Sequence, residues 1–328
     1  MNILVCGGAG YIGSHTVKEL KENGHNPIVY DNFEAGHKEA ITNTKFVFGN
    51  LSDCELLKET LIKEKIDAVI HFAGYLAVGE SVKIPEKYYN NNVTNTLNLL
   101  TCMKECNINK IVFSSSAAVY GAPKRIPINE EDQLDPINPY GETKLIVEKM
   151  LKYFEDAYGF HFVALRYFNA SGADPSGNIG EDHYPETHLI PIVINSIIHG
   201  KEFKIFGTDY ETKDGTCVRD YIHVTDLAQA HVLAINHLIT GGQSDIFNVG
   251  SGNGFSNKEI INVSEEIIGK KAIVNYTERR AGDPPTLLAD STKIKKILKW
   301  NPKYSEIKTI ISTAYNWHKS HPNGYKRI

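Results

Sequence analysis

The sequence predicts an α/β protein built on a doubly wound parallel sheet, with a smaller mixed α/β lobe in its C-terminal half. Strand-like apolar runs alternate with helical patterns in the first half, and a glycine-rich turn joins the first run to the first helix. Runs that are apolar throughout are typical of strands buried on both faces, so helices should cover both sides of the sheet. We expect domains at residues 1–168 and 169–328, with about 217–250 returning to the first domain.

The individual elements follow from these patterns. The strand-like runs are Ile3–Cys6, Pro27–Tyr30, Lys45–Phe48, Ala68–Phe72, Lys110–Ser114 and Phe162–Arg166. The helical patterns are Ile12–Asn23, Asp53–Lys65, Pro85–Cys106 and Pro139–Tyr158. Residues 169–188 are polar and rich in Gly and Pro, which predicts a loop or a boundary between lobes.

Composition narrows the class of protein. The chain has 328 residues, of which 41% are hydrophobic and 23% are charged, as is typical of a soluble globular protein. Its net charge of −4 provides no basic field for nucleic acid or an anionic membrane. The start of the chain resembles neither a signal peptide nor a membrane span, and the five cysteines show no disulfide or CxxC pattern. We therefore expect a cytoplasmic protein with unpaired thiols.

The glycine-rich turn predicts a dinucleotide site. Gly7, Gly10 and Gly13 follow a strand and open a helix, an arrangement that lets the backbone approach a pyrophosphate at the helix N-terminus. Asp31 lies at the end of the second strand, 18 residues after Gly13. A carboxylate there accepts hydrogen bonds from a ribose 2′-hydroxyl and repels a 2′-phosphate, so NAD is favoured over NADP.

Tyr140 and Lys144 form a candidate catalytic pair because they lie four residues apart, on one face of a predicted helix. A free tyrosine titrates near pH ~10, so ionisation near pH ~7 requires roughly 4 kcal/mol. One cation at about 5 Å supplies roughly 3 kcal/mol at an effective dielectric constant near 20. Lys144 together with the positive nicotinamide ring would cover that difference, whereas an exposed lysine alone would not.

Three consecutive serines, Ser114 to Ser116, follow the apolar residues of the fifth predicted strand. Ligands of parallel sheets bind beyond the carboxyl ends of the strands, so a serine there can hold a substrate hydroxyl near the tyrosine. We expect Ser114 and Ser115 to be caps or turn residues.

The glycine motif, the serine-ended strand and the YxxxK pair together resemble the extended short-chain dehydrogenase/reductase family. Within that family the chain is similar to the 4-epimerases of UDP-hexoses over residues 1 to about 320. The similar blocks are GGAGYIGSHTV, HFAGYLAVGESV, YYNNNVTNTLNLL, SSSAAVYG, NPYGETKLIVE, LRYFNASGADP, GTCVRDYIHVTDLAQAH and ERRAGDPP.

The resemblance implies a Rossmann-type NAD domain and an interconversion of UDP-galactose and UDP-glucose through a 4-keto intermediate, with NAD tightly bound. Tyr140 would take the proton of the sugar 4-hydroxyl, and Ser116 matches the catalytic hydroxyl of the family. Lys144 matches the lysine that lowers the tyrosine pKa and holds the nicotinamide ribose. A homodimer through the helices Pro85–Cys106 and Pro139–Tyr158 is also implied.

The resemblance assigns two sets of binding residues. The expected NAD contacts are Gly7, Gly10, Tyr11, Ile12, Gly13, Asp31, Asn32, Asn50, Leu51, Phe72, Ala73, Gly74, Asn91, Tyr140, Lys144 and Tyr167. The expected UDP-sugar contacts are Ser116, Asn169, His188, Leu189, Arg219, Arg280, Asp283 and Leu287. We expect no metal, because the implied reaction requires none and the acidic and histidine residues of 181–188 are irregularly spaced.

Three alternatives stay open. One is a 4-epimerase of another UDP-sugar, N-acetylglucosamine, N-acetylgalactosamine or glucuronate, because Leu287 leaves partial room for a 2-acetamido group. A 4,6-dehydratase is disfavoured, since Ala117 and Ala118 stand where dehydratases of the family place an acidic pair. A non-catalytic NAD-binding regulator is the third. Departures from many relatives at Leu76 and Asn50 affect the cofactor side only.

Overall fold

A computed structural model of the chain describes residues 1–279 and 284–325. Its strands are β1 Asn2–Cys6, β2 Asn26–Asp31, β3 Lys45–Phe48, β4 Ala68–His71, β5 Lys110–Ser116, β6 His161–Tyr167, β7 Asn169–Ser171, β8 Glu202–Phe206, β9 Val218–His223, β10 Asp245–Val249, β11 Gly254–Ser256, β12 Ile273–Thr277 and β13 Thr286–Leu287. Its α-helices are α1 Tyr11–Glu22, α2 Cys54–Lys63, α3 Val78–Lys83, α4 Pro85–Tyr88, α5 Asn95–Glu105, α6 Pro139–Tyr158, α7 Leu189–His199, α8 Val224–Ile239, α9 Asn257–Ile268, α10 Thr292–Ile297 and α11 Ile307–Ser320.

Seven strands form one parallel sheet in the order β3-β2-β1-β4-β5-β6-β10. The chain builds β1, β2 and β3 in one direction and then crosses back to β4 on the other side of β1. This reversal opens a crevice at the carboxyl ends of β1 and β4, where doubly wound sheets bind their ligands. The last strand, β10, pairs with β6 in parallel and so extends this sheet from the second half of the chain.

Alternate residues of the strands enter two separate cores, as expected of a sheet covered on both faces. Ile3 and Val5 of β1 pack in one cluster with residues of α1 and α8. Leu4 and Cys6 pack in the other with residues of α2, α5 and α6. The predicted doubly wound parallel sheet is thereby confirmed.

Three sequence expectations are corrected by the structure. The expectation that Ser114 and Ser115 are caps or turn residues is wrong, because β5 continues to Ser116 and buries both side chains. The predicted helix Pro85–Cys106 contains a π-helical segment, Tyr89–Thr94, between α4 and α5. The predicted loop 169–188 begins with the short strand β7, which pairs with β9.

The rest of the second half forms smaller sheets beside helices. β11, β9 and β13 pair in that order and β7 joins β9, while β8 pairs with β12. α7, α9 and α11 pack together around a core of isoleucines. Across the described ranges, no helix is both long and apolar enough to span a membrane.

Candidate active site

The glycine turn after β1 presents bare backbone at the N-terminus of α1. Gly7 has a φ of +75°, and a Cβ there would lie 2.6 Å from the Ala73 backbone nitrogen. A Cβ on Gly13 would lie 2.2 Å from the Gly7 carbonyl oxygen, so helix and turn touch without room for a side chain. Gly10 is the N-cap of α1 and provides no side-chain cap, which leaves the first N–H groups of the helix for a ligand.

The Asp31 carboxylate lies at the end of β2 and holds this turn. Its Oδ2 accepts a hydrogen bond from the Ala9 N–H at 2.9 Å, and its Oδ1 accepts one from the Phe33 N–H at 2.8 Å. Burial raises the Asp31 pKa, while these backbone donors oppose the rise. Each carboxylate oxygen keeps a second lone pair, which suits a pair of ribose hydroxyls.

The other expected cofactor residues lie along the same carboxyl edge of the sheet. Phe72, Ala73 and Gly74 directly follow β4, whereas Asn50 and Leu51 follow β3. The remaining ones are Ile12, at the start of α1, Asn32, after β2, and Tyr11, whose hydroxyl donates to the Gly172 carbonyl oxygen at 2.7 Å.

Tyr140 and Lys144 lie on the first turns of α6, which Asn138 caps by accepting a hydrogen bond from the Gly141 N–H at 2.9 Å. The Lys144 ammonium lies 5.8 Å from the centre of the Tyr140 ring. Ser116, at the end of β5, lies close enough to the phenol of Tyr140 for its hydroxyl to lower the Tyr140 pKa. The structure therefore brings the three expected catalytic side chains together, next to the crevice.

Burial controls the protonation of this trio. It raises the Tyr140 pKa, and the Ser116 hydroxyl opposes the rise. Burial also lowers the Lys144 pKa to about 8, against the charge of Glu148, which raises it. A phenol in this setting becomes a base near neutral pH only when cations adjoin it, because the protein's own burial works against its ionisation.

Tyr167, at the end of β6, is a further tyrosine near this trio. Its hydroxyl makes a short hydrogen bond with the Ser114 hydroxyl. Burial raises the Tyr167 pKa, and the neighbouring Tyr140 raises it further. Tyr167 is therefore a neutral hydrogen-bonding group beside the phenol of Tyr140.

Asn92 is a structural contributor that the sequence did not single out. It lies in the π-helical segment beside the expected cofactor residue Asn91 and is buried. Its Oδ1 accepts from the Tyr75 N–H at 2.8 Å, and its Nδ2 donates to the Tyr75 carbonyl at 3.0 Å and to the Thr143 hydroxyl at 3.2 Å. Asn92 thus joins the loop after β4 to the turn of α6 that bears Lys144.

A buried network of hydrogen bonds also joins α6 to the sheet. Arg166 of β6 donates to both carboxylate oxygens of Glu148, at 2.9 and 2.6 Å. The Ser115 hydroxyl donates to the same carboxylate, and Arg166 also donates to the Tyr120 hydroxyl at 2.9 Å. Glu148 lies one turn after Lys144, so this network fixes α6 against β5 and β6.

Three of the expected substrate residues lie on the small sheet formed by β7, β9 and β13. Asn169 of β7 donates to the Asp220 carbonyl oxygen at 2.9 Å, and Arg219 of β9 donates to the Pro284 carbonyl oxygen at 2.9 Å. Leu287 is the β13 partner of Arg219 and packs against the cluster that contains Ala117. Arg280 and Asp283 lie outside the described residues, while His188 and Leu189 begin α7.

Comparison with known proteins decides the family. The profile of the NAD dependent epimerase/dehydratase family matches residues 3–250. The chain belongs to this family. The chain is 54% identical to a UDP-glucose 4-epimerase of Halalkalibacterium halodurans over 326 residues, which cover 99% of this chain and 98% of the relative.

Two solved structures show how closely this epimerase/dehydratase family member follows its relatives. The UDP-glucose 4-epimerase of Brucella ovis, in complex with NAD, is 50% identical and has a TM-score of 0.94, with 96% and 97% of the two chains covered. The UDP-glucose 4-epimerase of Bifidobacterium longum, in complex with NAD+ and UDP, is 40% identical with a TM-score of 0.94, covering 99% and 100%.

The cofactor of this epimerase/dehydratase family member is NAD. The residues present fit it, because Gly7 and Gly13 let the turn pack closely against its neighbours, and Gly10 leaves the N-terminus of α1 without a side-chain cap, where a pyrophosphate binds. The buried Asp31 carboxylate at the end of β2 provides the acceptor for ribose hydroxyls.

Proposed function

We propose that this protein is a UDP-glucose 4-epimerase, which interconverts UDP-galactose and UDP-glucose through a bound 4-keto sugar. The observation that carries the proposal is the convergence of Tyr140, Lys144 and Ser116 at the edge of the sheet that also bears the glycine turn. A phenol with an ammonium group and a hydroxyl beside it is suited to moving one proton between a sugar hydroxyl and the protein.

Each side chain has a defined task in this proposal. Bound NAD supplies a hydride acceptor and donor for C4 of the sugar. Ionised Tyr140 takes the proton of the 4-hydroxyl and later returns it, while Ser116 holds the same oxygen by a hydrogen bond. The charge of Lys144 stabilises the phenolate, and its hydrogen bond to the Ser114 carbonyl keeps the ammonium in place.

The second lobe provides the UDP-sugar site in this proposal, and the residues before 169 provide the NAD site. Arg219 holds a phosphate oxygen, because a diphosphate is best met by guanidinium groups in a chain whose net charge is −4. Asn169 and Leu189 border the sugar, and Leu287 lines its pocket beside Ala117. We assign Arg280, Asp283 and His188 to the UDP site on sequence similarity.

A 4,6-dehydratase is not favoured. That reaction removes the C5 proton and expels the C6 hydroxyl, so it needs an additional acid and base near the end of β5. Ala117 and Ala118 follow Ser116 there, and neither methyl group can move a proton.

Replacing the phenol hydroxyl tests the proposal. We expect Tyr140→Phe to reduce epimerase turnover by at least about 100-fold, the scale of one general acid–base group, while NAD stays bound. The control is Tyr276→Phe, because Tyr276 lies on β12, outside the proposed sites and dimer surface, and is 48% exposed. Turnover should be unchanged in the control, and unchanged turnover in Tyr140→Phe would remove Tyr140 from the mechanism.

We also propose a homodimer that acts in the cytoplasm in galactose metabolism. Exposed apolar side chains occur on the segment Pro85–Glu105 and on α6, and a second copy of the chain would cover them. They are Tyr89, Leu97, Tyr153 and Tyr158. Five free cysteines agree with a reducing compartment. Sedimentation at micromolar concentration should give a dimer boundary, and a purely monomeric boundary would contradict this part of the proposal.

A further inference from the structure

Four potential metal ligands converge on the loop before α7, away from the catalytic trio. Glu181, His183, Glu186 and His188 each offer one ligand atom, and these atoms all lie within 4.8 Å of one another. The sequence expected no metal because the spacing is irregular, but a loop can bring irregularly spaced side chains to one point. Glu181 is the buried member, with 4% of its surface exposed.

The distances between these atoms are those of a small coordination shell. Glu181 Oε1 lies 2.8 Å from His188 Nδ1 and 3.2 Å from His183 Nδ1. Glu186 lies 3.0 Å from His188 Nδ1 through Oε1 and 4.0 Å from His183 Nδ1 through Oε2. Tetrahedral zinc, with bonds of about 2.0–2.1 Å, separates its ligand atoms by roughly 3.3 Å.

Hydrogen bonding within the described part of the chain does not satisfy the buried atoms. Glu181 Oε1 and His183 Nδ1 are both buried, and the 3.2 Å contact between them does not have the geometry of a hydrogen bond. His188 Nδ1 lies 2.8 Å from Glu181 Oε1 and 3.0 Å from Glu186 Oε1, so it approaches both carboxylates. An oxygen and a nitrogen that approach one another without the geometry of a hydrogen bond can both be ligands of one metal ion.

Charge points to a divalent ion. Metal ligation requires both imidazoles to be neutral, and the two carboxylates then carry a formal charge of about −2, which a divalent cation neutralises. We propose that Glu181, His183, Glu186 and His188 bind a divalent cation of the zinc type. Two imidazole nitrogens and two carboxylate oxygens suit Zn²⁺ better than Mg²⁺ or Ca²⁺, which prefer oxygen ligands.

The position of the site indicates a structural role. His183 packs edge-on against Tyr11 at the start of α1, with ring centres 6.1 Å apart, and His188 is the N-cap of α7. Four protein ligands close the coordination shell, as in structural zinc sites. The ion therefore fixes the loop between the first helix of the NAD side and the first long helix of the second lobe.

Metal analysis of the whole protein tests this directly. Protein stripped with a chelator and then reconstituted with Zn²⁺ should retain one ion per chain after gel filtration, with a dissociation constant below about 1 μM. Its Tm should be higher than that of the stripped protein. Co²⁺ in place of Zn²⁺ should give the visible absorption of a four-coordinate site. Failure of the wild-type protein to retain Zn²⁺ would overturn the proposal.

A variant locates the ion. His183→Ala should weaken Zn²⁺ binding by at least about 100-fold, whereas His199→Ala, at an exposed position on α7, should bind Zn²⁺ like the wild type. Equal binding by His183→Ala and wild type would place the metal elsewhere and overturn the assignment. Without a metal the cluster is an ion-pair network, in which burial lowers the His188 pKa but Glu181 and Glu186 raise it to about 10. Metal content is measured without substrate, so either result leaves the proposed epimerase activity to its own test.

Discussion

The Lys144 ammonium donates a hydrogen bond of 2.8 Å to the backbone carbonyl oxygen of Ser114. This bond joins α6 to the end of β5 and fixes the ammonium 5.8 Å from the centre of the Tyr140 ring. Lys144 is 5% exposed, so its charge acts in a medium that screens it little. Burial strengthens the effect of the Lys144 charge on Tyr140. The same burial makes the charge costly to the stability of the folded protein.

Lys144→Met should therefore stabilise the protein at neutral pH. The folded pKa of about 8 lies below the ordinary value of 10.5, so between these values the unfolded chain binds more protons. The wild type consequently gains stability as the pH rises through this window. We expect Lys144→Met to be more stable by about 1–2 kcal/mol at pH ~7, after allowing for the unpaired Ser114 carbonyl.

Denaturant unfolding across the pH range measures this effect. The advantage of Lys144→Met should be largest near pH ~7 and should shrink as the pH rises to and above about 10.5, where lysine becomes neutral in both states. Epimerase turnover should be lost in the variant at every pH. An advantage that did not depend on pH would show that the burial of charge is not its cause.

In the buried pair of Glu148 and Arg166, removing one charged side chain should destabilise the protein, unlike the removal of the Lys144 charge. Glu148→Ala leaves the Arg166 guanidinium buried without its partner, which should cost about 3–5 kcal/mol of unfolding free energy. The double variant Glu148→Ala, Arg166→Met removes the orphaned charge and should recover most of that loss. Lys152→Met is the control on the same helix, because Lys152 is exposed and its ion pair with Glu155 should contribute little to stability. A double variant no more stable than the single one would contradict this account.

Gly13→Ala should abolish retention of NAD. Its Cβ would lie 2.2 Å from the Gly7 carbonyl oxygen and would push the glycine turn away from α1. Gly79→Ala is the control, because a Cβ at this helical glycine would meet no atom within 4 Å. Absorbance and release of NAD from the denatured proteins measure the cofactor content. Full NAD content in Gly13→Ala would show that the turn is not the pyrophosphate site.

Leu287→Tyr should change sugar selectivity. Leu287 packs against the cluster that contains Ala117, and we expect a larger side chain there to reduce the room for a 2-acetamido group. We expect the kcat/KM ratio of UDP-N-acetylgalactosamine to UDP-galactose to fall at least about 10-fold, the scale of a steric change in a pocket. Affinity for UDP alone should stay the same. If the wild type shows no turnover of the acetamido sugar, Leu287 does not provide the room inferred for it.

The sequence predicted the sheet and the placement of Tyr140 and Lys144 on one helix face because both depend on local pattern. Apolar runs define the parallel strands, and the pitch of α6 alone places Tyr140 and Lys144 on one face. The spacing of the glycines likewise predicted the turn whose close contacts the structure describes.

Features that depend on tertiary contact were not predictable in this way. Glu148 and Arg166 belong to different elements, and nothing in their sequence neighbourhoods indicates that they meet in the core. The strand β10 begins 78 positions after β6 ends, and periodicity did not predict its pairing with β6, although residues of about 217–250 were expected to return to the first domain. The ligand cluster of Glu181 and His188 arises from a loop, whose path no repeating pattern determines.

The central claim is that Tyr140 works on a UDP-sugar with NAD that the protein retains. Purified protein should be incubated with UDP-galactose without added NAD, and the nucleotide sugars should be separated over time. The account predicts that UDP-glucose accumulates over many turnovers until the two sugars reach a constant ratio. The same ratio should be reached when the reaction starts from UDP-glucose. Folded, NAD-containing protein that forms no UDP-glucose would contradict it.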